Sequence, residues 1–88
     1  MKNNGYNGWA NWDTWNTALW FQNDEALYRS ITREARRRSD PYTEKITPKD
    51  AEDIISSHFD EGETPDGADV GLCDWDEMAD CINECIAD

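Results

Sequence analysis

Apolar side chains recur at intervals of three and four residues in four separate segments of this 88-residue chain. That spacing is the period of an α-helix, and no segment shows the alternation typical of a half-buried strand. The first segment predicts a helix over residues 12–22, and the others predict helices ending near Arg38, ending before Asp60 and beginning near Asp74. We therefore expect an all-α fold, a single small domain of about four short helices around a Trp-rich core.

Aromatic side chains supply much of the apolar bulk. Hydrophobic residues make up 38% of the chain, but these include five Trp, three Tyr and two Phe, which bury large areas when packed. Trp12, Trp15 and Leu19 share one face of the first predicted helix, which places them in the core. Trp9 precedes that helix and is the Trp that we expect to be exposed.

Capping residues mark the predicted helix ends. Asn11 or Asp13 begins the first helix, and Asn23 begins the second. Thr47, with Pro48 after it and Asp50 three residues on, predicts a capping box at the third. Asp74 and Glu77 have the same spacing at the fourth, and together the candidate caps are Asn11, Asp13, Asn23, Thr47, Asp50, Asp74 and Glu77.

The whole chain, 1–88, is predicted to be one domain with three parts. Residues 1–10 are rich in Asn and Gly and predict a flexible lead-in. Residues 11–38 form a helical pair, and residues 47–88 form an acidic helix-loop-helix. Its loop, 60–72, contains three Gly and one Pro, and it leaves a short hairpin open as an alternative.

The charge is distributed unevenly. The net charge is −12, and residues 50–88 hold 14 of the 20 Asp and Glu but no Lys or Arg. This sign excludes direct nucleic-acid binding, which needs a basic surface. Asp76, Asp80 and Glu84 are neighbours at four-residue spacing and repel one another. Because this surplus exceeds what solubility requires, it indicates an external basic partner.

Two sequence blocks carry a resemblance. Asn11-Trp12-Asp13-Thr14-Trp15-Asn16-Thr17-Ala18-Leu19-Trp20 is followed by Gln22-Asn23-Asp24-Glu25 and Leu27-Tyr28, and Cys73-Asp74-Trp75-Asp76-Glu77-Met78-Ala79 lies near the C-terminus. The chain resembles a family of small acidic proteins encoded by bacteriophages and archaeal viruses, with an N-[WY]-[DE]-T-W-N-x-A-L-W…N-D-E block. The resemblance implies a viral or mobile-element origin. Small acidic phage proteins are often anti-CRISPR or anti-restriction inhibitors, so this origin favours inhibition of a host defence system.

Carboxylate rows along helices approach the charge spacing of duplex DNA, so the acidic half predicts a DNA mimic. We expect it to occupy the DNA-binding groove of a host defence protein, a CRISPR effector or a restriction enzyme, in the host cytoplasm. The expected partner-binding residues are Asp60, Glu61, Glu63, Asp66, Asp69, Asp76, Glu77, Asp80 and Glu84. The alternative is a protein-interaction module that binds a host protein through aromatic residues.

Other functional classes find little support. Cys73, Cys81, Cys85 and His58 lack the Cys-x-x-Cys spacing common in zinc sites. The acids of residues 60–69 do not follow the order of a calcium loop. No nucleophile motif surrounds the single His, so we expect no catalytic residue, metal or cofactor. No apolar run is long enough to span a membrane, and the N-terminus lacks the apolar stretch of a signal peptide.

Overall fold

The computed structural model describes residues 8–87 and confirms the all-α class. Its elements are α1 (Trp12–Asn23), α2 (Glu25–Arg38), α3 (Pro48–His58), a short 3₁₀ helix (Val70–Leu72) and α4 (Trp75–Ile86). Helix α3 packs against α2 and α4, and α1 packs against α2. Among the described residues, none of the helices combines the length and the apolar character needed to cross a bilayer.

Three of the predicted helix starts are confirmed. The Asn11 side chain accepts a hydrogen bond from the Thr14 N–H at 2.8 Å. Thr47 and Asp50 form the capping box at α3, and Asp74 caps α4. The prediction for α2 was wrong by one residue. Asp24, not Asn23, is the cap, and it is the single residue between α1 and α2. Its N–H donates to the Trp20 carbonyl at the end of α1, and its carboxylate accepts from the Leu27 N–H at the start of α2.

The centre of the core is formed by aliphatic side chains, Met78 and Phe21 rather than by Trp. Its fully buried large side chains come from every helix and from the loop: Phe21, Ile31, Ile54, Ile55, Val70, Met78 and Ile82. Trp9, Trp20 and Trp75 are partly buried at its margin. The predicted Trp-rich core is therefore wrong, although the helices that enclose the core are as expected.

The orientation of α1 explains this difference. The helix buries Thr14, Asn16, Thr17, Ala18 and Phe21. Trp12, predicted to be in the core, is 36% exposed. Apolar residues surround much of α1, so their spacing alone does not select the inward face. Hydrogen bonds to the loop select it instead.

Polar side chains of α1 bind the segment 64–74 along its length. The Asn16 amide donates to Asp66 Oδ2 at 2.9 Å and its oxygen accepts from the Thr64 hydroxyl at 2.6 Å. Further toward the N-terminus, three side chains of α1 and its cap bond backbone groups of the same segment. Asp13 Oδ1 accepts from the Asp69 N–H, and Asn11 Nδ2 donates to the Leu72 carbonyl. Thr14 Oγ1 accepts from the Asp74 N–H. We call this set of contacts the α1 clamp.

The loop that the clamp holds contains the turn of a short hairpin. An isolated antiparallel bridge pairs Glu63 with Asp69. Inside it, the Thr64 N–H bonds the Ala68 carbonyl and the Gly67 N–H bonds the Thr64 carbonyl. Gly67 has a φ of 93°, a conformation that favours glycine. The hairpin left open by the sequence is therefore present in this minimal form.

The predicted flexible lead-in covers residues 1–10, of which 1–7 lie outside the described residues. The remaining three are docked on α4. The Ala10 N–H donates to Glu77 Oε1 at 2.7 Å, and Trp9 packs against the core. The expectation that Trp9 is the exposed Trp is therefore wrong, because its side chain is half-buried.

The connection between α2 and α3 is anchored by α4. The Ile46 side chain enters the core, and Asn83 of α4 bonds both its backbone groups, accepting from the Ile46 N–H at 2.8 Å and donating to its carbonyl at 3.2 Å. This pair of bonds holds the start of α3 against α4.

Candidate protein-binding surface

The nine carboxylates predicted to bind a partner fall into two groups. Three of them accept hydrogen bonds within the protein. Asp66 Oδ2 accepts from Asn16 and from Trp20 Nε1, at 2.9 and 3.0 Å. Asp69 Oδ1 accepts from the Gly71 N–H, and Glu77 Oε1 accepts from the Ala10 N–H. These three side chains hold the fold together in addition to any contact with a partner.

The other six carboxylates are exposed, and we call them the acidic face. They are Asp60, Glu61 and Glu63 of the loop and Asp76, Asp80 and Glu84 of α4. Within residues 8–87, no Lys or Arg lies within salt-bridge distance of any of them. Their charge is therefore not neutralised by the described part of the chain.

The α4 residues of the acidic face form the row that the sequence predicts. Asp76, Asp80 and Glu84 lie at successive four-residue steps on the exposed side of the helix. Trp9 lies beside this row, in a hollow that Asp80 and Glu84 also line. Lys45 lines a neighbouring hollow without forming a salt bridge to either acid. The row thus presents three like charges along one edge of the molecule.

The loop residues of the acidic face surround a groove. The groove, of about 370 Å³, lies where the ends of α1 and α3 meet the start of α2. Its apolar lining is Trp20, Leu27, Phe59 and Pro65, and its carboxylates are Asp24, Asp60, Glu61 and Glu63. We call it the Trp20 groove. None of its lining residues belongs to α4, so the two parts of the acidic face lie in different places.

His58 also lines the Trp20 groove, in a fixed orientation. Its Nδ1 lies 2.7 Å from the Ile54 carbonyl oxygen, which accepts only, so Nδ1 carries a proton and donates. The half-buried ring is thus held by a carbonyl of its own helix. Its Nε2 is the ring nitrogen left for other contacts.

Two of the three acids of α3 have basic partners, unlike the acids of the acidic face. Arg38 of α2 reaches Asp50 at 3.7 Å and Asp53 at 3.5 Å, and Lys49 reaches Asp53 at 3.4 Å. Arg38 also bonds Glu34, and this contact raises the pKa of the guanidinium. Arg38 and Lys49 thus offset part of the charge of Asp50 and Asp53, whereas Glu52 of α3 is exposed and has no salt bridge within the described residues.

Two carboxyl groups have lowered pKa values. Hydrogen bonds from Asn16 and then Trp20 hold the pKa of Asp66 below its usual value. Hydrogen bonds from Arg37 and Arg38 do the same for Glu34. Both groups are stabilised in the charged form by partners inside the protein, which agrees with a structural role.

The cysteines do not form a reactive or metal-binding cluster in the described part of the chain. Burial raises the pKa of Cys73 to about 11 and that of Cys81 to about 12, so both thiols stay protonated near neutral pH. Within residues 8–87 no three His, Cys, Asp or Glu side chains are placed to hold a metal ion.

The aromatic alternative rests on other residues than the sequence indicates. Trp9 is half-buried, whereas Tyr42 is 94% exposed and Leu72 is 58% exposed. Trp12 and Leu72 both flank the clamp, where Asn11 bonds the Leu72 carbonyl. An aromatic docking surface would therefore involve Trp12 rather than Trp9.

Sequence reasoning missed the groove and the role of Asn16. Asn16 bonds side chains about 50 residues away in the sequence. Its position on the buried side of a helix indicates that it has hydrogen-bond partners, because a buried amide group needs them. Nothing in the local pattern identifies those partners, because the loop residues Thr64 and Asp66 are typical of any polar turn.

A family model described as a family of unknown function (DUF7249) matches residues 2–88. No curated protein matches the chain. No solved structure matches it either.

Proposed function

The chain belongs to the family of unknown function DUF7249, and we propose that it is a phage-derived, non-catalytic inhibitor of a host defence complex. In this proposal the acidic face binds the basic DNA-binding groove of a CRISPR effector or a restriction enzyme and keeps DNA out. The partner is a protein, and the chain itself does not bind nucleic acid.

The observation that carries the proposal is the contrast among the acids. Arg38 and Lys49 pair with Asp50 and Asp53 of α3, while the acidic face has no Lys or Arg partner within residues 8–87. Crowded like charges on α4 lower stability, by about 0.2–0.5 kcal/mol for each four-residue pair. A basic partner would offset this repulsion, because its positive charges attract the same carboxylates.

The geometry favours distributed attraction over a close copy of DNA. Residues four apart on a helix are about 6 Å apart along its axis, whereas duplex DNA carries one charge per about 1.7 Å. Because two of the three acids of α3 have basic partners, the acidic face is sparser than a duplex. It therefore supports steering toward a basic groove and occlusion of that groove, without a phosphate-by-phosphate match.

The direct test reverses the charges of each part of the face. One variant carries Asp60→Lys, Glu61→Lys and Glu63→Lys, and another carries Asp76→Lys, Asp80→Lys and Glu84→Lys. Asp66 stays unchanged because Asn16 and Trp20 bond it. The matched control, Glu25→Lys with Glu44→Lys and Glu52→Lys, changes the net charge equally at exposed positions elsewhere.

The measurement is phage plating on bacteria that express each variant together with a CRISPR or restriction system. Circular dichroism verifies that each variant is folded. The parent and the control should restore phage growth, and the two face variants should not. If both folded face variants protect phage as well as the parent does, the acidic-face mechanism is wrong.

Competition in solution gives a second measurement. Prebinding the chain to the defence protein should prevent binding of target DNA, and saturating DNA should prevent binding of the chain. The affinity should fall as salt rises. If DNA and the chain bind the defence protein together, and Trp12→Ala abolishes inhibition, the aromatic alternative replaces this proposal.

A further inference from the structure

The Trp20 groove differs from the rest of the acidic face because its carboxylates surround apolar side chains. Trp20 and Leu27 are half-buried, Phe59 is buried and Pro65 is exposed. Its volume of about 370 Å³ lies at the small end of the range of about 300–1,000 Å³ for ligand pockets. The groove is thus suited to a side chain or two rather than to a flat charged surface.

The indole of Trp20 is held in place. Its Nε1–H donates to Asp66 at 3.0 Å, and Asn16 holds the same carboxylate oxygen at 2.9 Å. The polar edge of the ring is therefore occupied inside the protein. The rest of the ring contributes apolar surface to the groove.

The chemistry of the groove indicates what it would accept. An apolar floor favours a side chain with an aliphatic stem, and the carboxylates of Glu61 and Glu63 favour a positive charge at its end. A fixed indole adds cation–π attraction. Arginine fits this combination better than lysine, because its guanidinium is more weakly hydrated and stacks on aromatic rings.

We propose that the Trp20 groove binds an arginine side chain of the basic partner protein, as the specific contact within an otherwise distributed electrostatic interface. This inference rests on the proposed function and names the part of the face where the partner is recognised. The α4 row then supplies attraction, while the groove supplies specificity.

The probe is a nine-residue peptide in which three arginines are separated by glycine and leucine. Two matched peptides replace arginine by lysine or by citrulline, which has a similar shape but no charge. Binding is followed through the Trp20 indole N–H signal in NMR titrations. The arginine peptide should shift this signal at the lowest concentration, the lysine peptide should bind about threefold more weakly, and the citrulline peptide should not bind.

Three protein variants locate the contact. Trp20→Leu keeps the net charge and should weaken arginine-peptide binding about threefold to fivefold, as loss of a cation–π contact predicts. For this variant binding is measured through backbone amide signals. Glu61→Gln with Glu63→Gln alters only exposed rim residues, so it tests the groove even if Trp20→Leu fails to fold. Asp76→Asn with Asp80→Asn removes the same charge from α4 and should leave binding within about twofold.

Four results would overturn the inference. The first is an equal loss of arginine-peptide binding in the Glu61/Glu63 variant and the Asp76/Asp80 variant, and the second is parent-like binding by folded Trp20→Leu. The third is that the arginine peptide does not bind the parent. The fourth is a Trp20 signal that shifts with protein concentration because a second copy of the chain occupies the groove. Each leaves the proposed function standing, since distributed charge is sufficient for it. Conversely, if the charge-reversal variants still inhibit the defence system, the proposed function fails even where the groove binds the peptide.

Discussion

The acids of the α1 clamp and those of the acidic face have the same chemistry but opposite roles. Asp13 accepts a hydrogen bond from the Asp69 N–H and Asp66 accepts one from Asn16, both distant in sequence, while Asp69 accepts one from Gly71, two residues on. The six acids of the acidic face lie exposed, without a Lys or Arg partner in residues 8–87. The difference teaches that an acid-rich segment is not one functional unit. Some of its charges hold the fold, and the others are available to a partner.

The largest effect should come from breaking the clamp at Asn16. Asn16 is 1% exposed, and Asn16→Ala leaves the buried Thr64 hydroxyl and the Asp66 carboxylate without this partner. We expect the free energy of unfolding to fall by about 2–3 kcal/mol, measured by urea denaturation. The matched control is Asn23→Ala, at the exposed end of the same helix. Equal losses in the two variants would show that the clamp does not stabilise the loop.

The pH dependence of stability should separate Asp66 from the acidic face. Because its folded pKa lies below its unfolded value of about 3.9, its hydrogen bonds stabilise the fold fully above that value and are lost as the pH falls through the folded pKa. Asp66→Asn should therefore lower the Tm at pH 7, and the difference from the parent should shrink below about pH 4. Asp60→Asn is the matched control, because it removes the same charge at an exposed position. A parent–variant difference that stays constant from pH 7 to pH 3 would contradict this.

Two adjacent residues of α4 sharpen the comparison. Glu77 bonds the Ala10 N–H, whereas its neighbour Asp76 is an exposed member of the acidic face. Glu77→Ala should cost about 1 kcal/mol and change the Trp fluorescence as residues 8–10 leave α4. Asp76→Ala, in the same helical turn, should change stability by less than about 0.5 kcal/mol. Similar effects at both positions would mean that the helix dipole, not the bond to Ala10, accounts for the contribution of Glu77.

The smallest effect should follow from neutralising the α4 row. Asp76→Asn with Asp80→Asn and Glu84→Gln removes two repulsive four-residue pairs, so we expect a slight gain, under about 0.5 kcal/mol. Salt screens such repulsion, so the gain should be larger at low ionic strength. Urea denaturation at low and high salt measures it. A marked loss of stability at both salt levels would show that these acids hold the fold, as the clamp acids do.

Much of the fold follows from local patterns. The bounds of α1 and the capping box of Thr47 and Asp50 need only the spacing and chemistry of neighbouring residues, and both predictions are confirmed. The exposed row on α4 follows from the same periodicity. The rotation of α1 does not, because its apolar residues allow more than one inward face. The candidate site was predicted as a set of acids, and which of them are engaged depends on partners distant in sequence.

The sequence by itself determined the helices, three of their four caps, the separation of charge along the chain and the absence of strand patterns, since each depends on interactions within a few residues. The tertiary structure alone decided that Trp side chains lie at the margin of the core, that Arg38 pairs with Asp50 and Asp53 and that Asn16 holds the loop. It also created the Trp20 groove, whose walls come from residues 20–27 and 58–65. These features depend on contacts between distant segments, and such contacts are selected by packing and by the need of buried polar groups for partners.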